Sequence, residues 1–208
     1  MTRARDLAKL ISGSSTLGGT GELVLKDVDT ADGSSPKITF QTGDTDIAAD
    51  DVLGTIDFQA PDEGTGTDAL LVAAGIEAVS EGDFSASCNA TKLSFKTGAS
   101  ESATEKMIIK SDGKVGIGTN SPSSILHVSS SDPELILTDT STNVDHSLDG
   151  NSGTGVLRLH VDKNSEGSGP AYIVNMAGSE ATRIDSSGNL MVGKTAANNT
   201  AAGHVLYT

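Results

Sequence analysis

Residues 111–128 read SDGKVGIGTNSPSSILHV, and residues 186–198 read SSGNLMVGKTAAN, 75 positions later. A turn signal, a Gly-punctuated apolar strand and a polar bend follow one another in the same order twice. Repetition at this spacing predicts a chain built from modules rather than one compact enzyme fold. Asp112-Gly113 and Ser187-Gly188 supply the positive φ of a tight turn. After the first turn, Val115 and Ile117 are predicted to share one face, and the other carries Gly116 and Gly118. A face without side chains admits a second backbone, and in a three-fold assembly that backbone is expected to be another chain's, near the axis. Pro122 is expected to bend the chain out of the sheet, because proline cannot continue an internal ladder. Gly188 and Gly193 hold the corresponding places in the second junction.

Working outward, a weaker echo links ELVLKD at 22–27 with ELILTD at 134–139. Each opens a module that the Gly-rich element closes. Strands are predicted at 37–41, 52–59, 92–96 and 106–110 in the first module. The second is predicted to have strands near 134–138, 156–161 and 171–176, with loops at 139–154 and 162–170. The segment 69–79, ALLVAAGIEAV, fits a buried helix or a strand, and Gly75 with its β surroundings favours the strand. The final HVLY at 204–207 reads as a strand. Residues 2–12 read as a short helix with Leu7, Leu10 and Ile11 on one stripe, followed by a flexible linker. A helix this short needs a partner, so that stripe is expected to be a docking site or a seam between copies.

The expected fold is therefore mainly β: a short N-terminal helix, then two β-rich modules joined by Gly-rich junctions, built as a sandwich or as interdigitated trimeric β. The boundaries are 1–21 (helix and linker), 22–110 (first module), 111–128 (junction), 129–183 (second module) and 184–208 (second junction, expected to run on into a longer chain).

Composition narrows the function. The chain has 208 residues and a net charge of −14, with no Trp, two Tyr and four Phe. Aromatic side chains carry much of the burial in ordinary cores, so a single copy has a thin core. Sharing strands with two other copies would supply what is missing. Subunits this acidic must meet through apolar and backbone contacts rather than through charge. Arg3, Arg5 and Lys9 form the sole basic cluster, which argues against nucleic acid as a partner. The single cysteine, Cys88, excludes an intrachain disulfide. No run approaches the ~18 apolar residues of a membrane span, and residues 1–13 do not form a secretory signal.

No catalytic, cofactor or metal constellation is predicted. His127, His146, His160 and His204 are scattered, without metal-ligand spacing. Asp44, Asp46, Asp50 and Asp51 lack the pattern and glycine of a calcium loop and read as a solvated turn. Gly116-x-Gly118 opens no helix, so it is no dinucleotide fingerprint. Glu101 and Glu105 read as solvent-facing.

Residues 107–128, MIIKSDGKVGIGTNSPSSILHV, resemble an element of the form RIDSSGNVGIGT-SP-KLHV common in tail fibres and related appendage proteins of tailed bacteriophages, notably of marine and cyanobacterial hosts. Residues 182–192, TRIDSSGNLMV, are similar, although Leu190-Met191-Val192 departs from Val-Gly-Ile. The segments 69–82, 93–100 and 1–8 also look like pieces of such fibres. The resemblance implies a homotrimeric β-rich fibre, made in the host cytoplasm and carried on the virion as a tail appendage. Its N-terminus would dock on a tail adaptor, nozzle or hub, and its distal part would meet a host surface glycan or protein. A capsid-bound decoration fibre and a polysaccharide-degrading tailspike are the alternatives.

Overall fold

The computed structural model describes residues 33, 35–60, 66–151, 155–193, 195 and 204–206. The chain divides into two compact units, Met1–Gln41 and Thr42–Thr208. Of the first unit only 33 and 35–41 are described, so the expected N-terminal helix, the stripe of Leu7, Leu10 and Ile11, and ELVLKD lie outside the described residues. The expected strand at 37–41 is not formed among the described residues: the segment joins no ladder, and Ile38 and Phe40 are exposed. Its alternation is that of a strand, but alternation without a paired neighbour leaves the backbone groups to water.

The second unit is mainly β, as expected. Among the described residues it contains thirteen strands and one 3-10 turn, Asp68–Leu70. Strands β1 (Val52–Gln59), β2 (Val72–Ser80), β3 (Thr91–Thr97), β4 (Thr104–Ile109), β5 (Val115–Ile117) and β6 (Leu126–Val128) form a six-stranded sheet in chain order. Strands β7 (Glu134–Asp139), β8 (Val144–Asn151) and β9 (Val156–His160) form a second sheet. Strands β10 (Tyr172–Met176), β11 (Ser179–Ile184), β12 (Leu190–Val192) and β13 (His204–Leu206) form a third. The ambiguous 69–79 segment is thus a strand after its opening turn. Strand β8 occupies part of the stretch expected to be loop. Its sequence VDHSLDGN alternates, with Val144, His146 and Leu148 on one face, but its charges and glycine hide the period.

Sheet neighbours follow chain order, so most contacts are local, and each sheet is an antiparallel meander except for the parallel β5–β6 pair that ends the first. The sheets are single layers. Among the described residues the buried apolar side chains are Val79, Ile108, Val144 and Met191, while many large apolar side chains stay more than a third exposed. A sandwich closed within one chain would bury one face of each sheet, and these faces are open.

The two closing elements superpose in chemistry. β4–turn–β5 and β11–turn–β12 share their bounds at an offset of 75. Lys110 N–H donates to Lys114 O and Gly113 N–H to Lys110 O; Asp185 N–H donates to Asn189 O and Gly188 N–H to Asp185 O. Gly118 N–H donates to Lys106 O, as Gly193 N–H does to Ala181 O. The four glycines have φ of +83°, +71°, +81° and +68° for Gly113, Gly118, Gly188 and Gly193. The junctions are therefore the closing hairpins of their sheets rather than spacers beyond them.

Candidate functional site

The registers decide which side chains share a face, because residues directly across a ladder lie on the same side. In the first sheet Ile56 pairs with Ile76, Ile76 with Phe95, Phe95 with Met107, Met107 with Ile117 and Ile117 with Val128. One apolar row thus crosses all six strands. Beside it runs a second, Ala78–Leu93–Ile109–Val115–Leu126. Phe58 and Ala74 extend the same face. None of these side chains is charged, and none is buried: Phe58 is 56% exposed and Leu126 59%.

The opposite face carries the charges. Lys96 pairs with Glu77 at 3.2 Å and Lys92 with Glu105 at 3.1 Å, with Ser94 buried between these strands. The connection 118–125 also lies on this side. A Cβ on Gly116 would stand less than 3.0 Å from the Thr119 carbonyl oxygen and 3.2 Å from Ile108 Cγ1. Ile108 is fully buried and Pro122 is buried. The backbone admitted by the glycine face is thus the chain's own connection. Pro122 lies in this connection, outside the ladder. The chain returns as β6, parallel to β5, held by Val115 N–H donating to Ile125 O and Ser129 N–H to Ile117 O. Parallel neighbours usually need a longer, helical crossover; the glycines let this short one lie flat.

In the second junction Met191 replaces Gly116 and is almost fully buried, opposite Arg183 in place of Ile108. Arg183 turns to Glu180 at 2.8 Å. The buried bulk has moved from one strand of the hairpin to the other.

The other two sheets repeat the segregation of faces. In the second, Leu135, Leu148 and Leu159 form an exposed row. The reverse face holds Asp149 between Arg158 Nε at 2.9 Å and His160 Nε2 at 2.7 Å, and Glu134 beside Lys163. In the third, Tyr172, Ile184 and Leu190 form the row. Leu159, Tyr172 and Ile184 line one cleft of about 620 Å³, so the apolar rows of these two sheets open onto a common space.

Asp44 accepts the N–H of Asp46, and Asp51 that of Ala48. Both carboxylates thus serve the turn that ties residues 47–51 to the end of β2 through Ser80 and Phe84. Among the described residues no three His, Cys, Asp or Glu side chains converge on a metal site.

Burial would push the Glu81 carboxyl up, but Lys110 at 2.7 Å and the Ser111 N–H at 2.8 Å outweigh it and hold it below its ordinary range. A depressed carboxylate stabilises the fold fully above its unfolded pKa and loses that contribution as pH falls through the folded one. Burial likewise opposes, and Arg158 and His160 overcome, the lowering at Asp149. Melting temperature is therefore expected to drop on acidification below about pH 4.3, the ordinary glutamate value. Glu81→Gln should melt lower than the parent at neutral pH and lose less between pH 7 and pH 3.5. Parallel melting curves for the two proteins would show that Glu81 does not contribute.

Of the residues predicted from sequence, Gly113, Gly116, Gly118, Pro122, Gly188 and Gly193 gather in the two closing hairpins, on turns or against the chain's own backbone. The apolar row was not foreseen as a unit. Each strand's alternation announced its share, but only the register joins Ile56 to Val128. Compared by sequence, the chain matches no protein-family model and none of the curated proteins.

Proposed function

We propose that the chain is a structural and adhesive fibre subunit of a tailed-bacteriophage virion, working as a homotrimer and not as an enzyme. The observation that carries this reading is the uncharged apolar face left open on single-layer sheets. A folded subunit with such faces is completed by association, since soluble monomers rarely expose contiguous apolar patches of this extent. Two turns of the same hairpin along the chain fit a modular rod, and the resemblance of 107–128 and 182–192 to phage appendage elements supplies the setting and the number three. In this reading the N-terminus docks on the tail, through the stripe of Leu7, Leu10 and Ile11, and the distal part is directed at a host glycan or protein.

Sedimentation equilibrium tests the assembly: a species of three times the chain mass is expected, and a stable monomer at micromolar concentration would sink the proposal. Deleting residues 2–11 tests the attachment. Particles should lose the fibre from the tail, while the circular dichroism of the free protein keeps its β signal. Loss from the head instead would make the chain a capsid decoration.

A further inference from the structure

We infer that the row Ile56–Ile76–Phe95–Met107–Ile117–Val128 runs along the symmetry axis of the assembly, so that each of its residues faces its own counterpart on further copies of this chain. The inference rests on the oligomeric reading above and adds to it the occupant of the face and its direction.

The occupant follows from charge. The chain carries −14, and its charged side chains on the first sheet lie on the face opposite the row or in the β4 bulge. A foreign partner can complement charges; an identical acidic partner cannot, and can meet this chain only across a surface that has none. Apolar side chains on all six strands, with no Lys, Arg, Asp or Glu at the registered positions, are what self-association demands. The connection 118–125, which has to cross one face, crosses the charged one and leaves the apolar one clear.

The direction follows from the register. Neighbouring strands stand about 4.8 Å apart, so six strands place the row along a line of about 24 Å perpendicular to the strands. The row holds large side chains at every step, and the adjacent row begins small, at Ala78. A rotation axis parallel to the row stacks like on like at every level. An antiparallel face-to-face pair would instead set Ile56 against Val128 and Phe95 against Met107, so that only these two central positions lie near their own counterparts.

Single cysteines placed at Ile56, Met107 and Val128, in a Cys88→Ser background, separate these arrangements under a mild oxidant. The expected result is a disulfide-linked dimer on a non-reducing gel from all three positions, and none from Asp57→Cys on the charged face. Cross-linking at Met107 but not at Ile56 and Val128 would overturn the inference in favour of the antiparallel pair. An oligomer that cross-links at none of the three would overturn it while leaving the oligomeric reading standing. A monomer would remove both. A measurement on the unsubstituted chain guards against misfolded variants: Met107 should resist peroxide in the assembly and oxidise after dissociation by urea. Oxidation of Met107 in the intact assembly would count against the inference as decisively as absent cross-links.

Discussion

Met107→Asp is expected to yield a monomer where the parent sediments as an oligomer. Met107 sits mid-row, flanked across the sheet by Phe95 and Ile117. Full burial of one such side chain is worth roughly 1.5–3 kcal/mol. Six of them, partly covered already by their sheet neighbours, contribute on the order of 10 kcal/mol per chain at most. An aspartate there forfeits one contribution and places an unpaired charge in a surface with no cation to meet it, a change that costs several kcal/mol in buried settings. Identical subunits multiply the effect, because each carboxylate faces its copies. Thr55→Asp, on β1 three strands away and on the charged face, is the control and should assemble like the parent. Sedimentation velocity at matched concentration reads the outcome. A Met107→Asp protein that sediments with the parent would mean that the apolar face is not the interface.

The second large effect is expected at Gly118. Its φ of +71° is one that L side chains adopt at a cost, and an added Cβ would press within 3.0 Å of the Ser129 carbonyl oxygen. That carbonyl belongs to a residue whose own N–H is bound to Ile117 O, so it cannot easily yield. Gly118→Ala should therefore lower the unfolding free energy by about 3 kcal/mol or more, the range of backbone strain combined with overpacking. Gly113→Ala separates the two causes. It has a similar φ, +83°, and open space around the added atom, so it should cost only the left-handed penalty, about 1–2 kcal/mol. Urea unfolding at one fixed protein concentration makes the comparison, since association adds to apparent stability. Equal losses for the two variants would mean that the pinch between Gly118 and Ser129 contributes nothing.

Local periodicity carried most of the element reading. KITFQ and VLGTIDFQ show the same alternation, yet only the second becomes a described strand, because alternation states which face would be greasy and not whether a neighbour exists. β8 went unseen for the converse reason: its neighbour is present, but one of its faces is Asp145, Ser147 and Asp149, the last two buried, and a run this polar reads as loop. The turns of the closing hairpins were legible, since Asp-Gly and Ser-Gly mark them, although the strand expected at 106–110 runs from Thr104 to Ile109. The return of β6 was not legible. Nothing in TNSPSSI says that the chain will fold back across Gly116, because that choice depends on Ile108 needing a cover. The proposed interface was half visible: thin aromatic content leads to the expectation that copies share a core, but the row is a property of five registers at once, and no window of sequence contains it.

The exchange of bulk between the two hairpins has a consequence for how such chains diversify. Ile108 opposite Gly116 and Arg183 opposite Met191 are alternative fillings of one backbone frame, fixed by the same donors and acceptors. Genetic recombination with its breakpoint in either turn would splice unlike segments onto an identical scaffold, yet would divorce each filling from its mate. A chimera joining the first strand of one hairpin to the second strand of the other would set Ile108 against Met191, two side chains that are each buried in their own hairpin, or Arg183 against Gly116, with neither of them. Descendants that keep the mates linked can trade whole segments freely, so inheritance is expected to respect the hairpin as its unit.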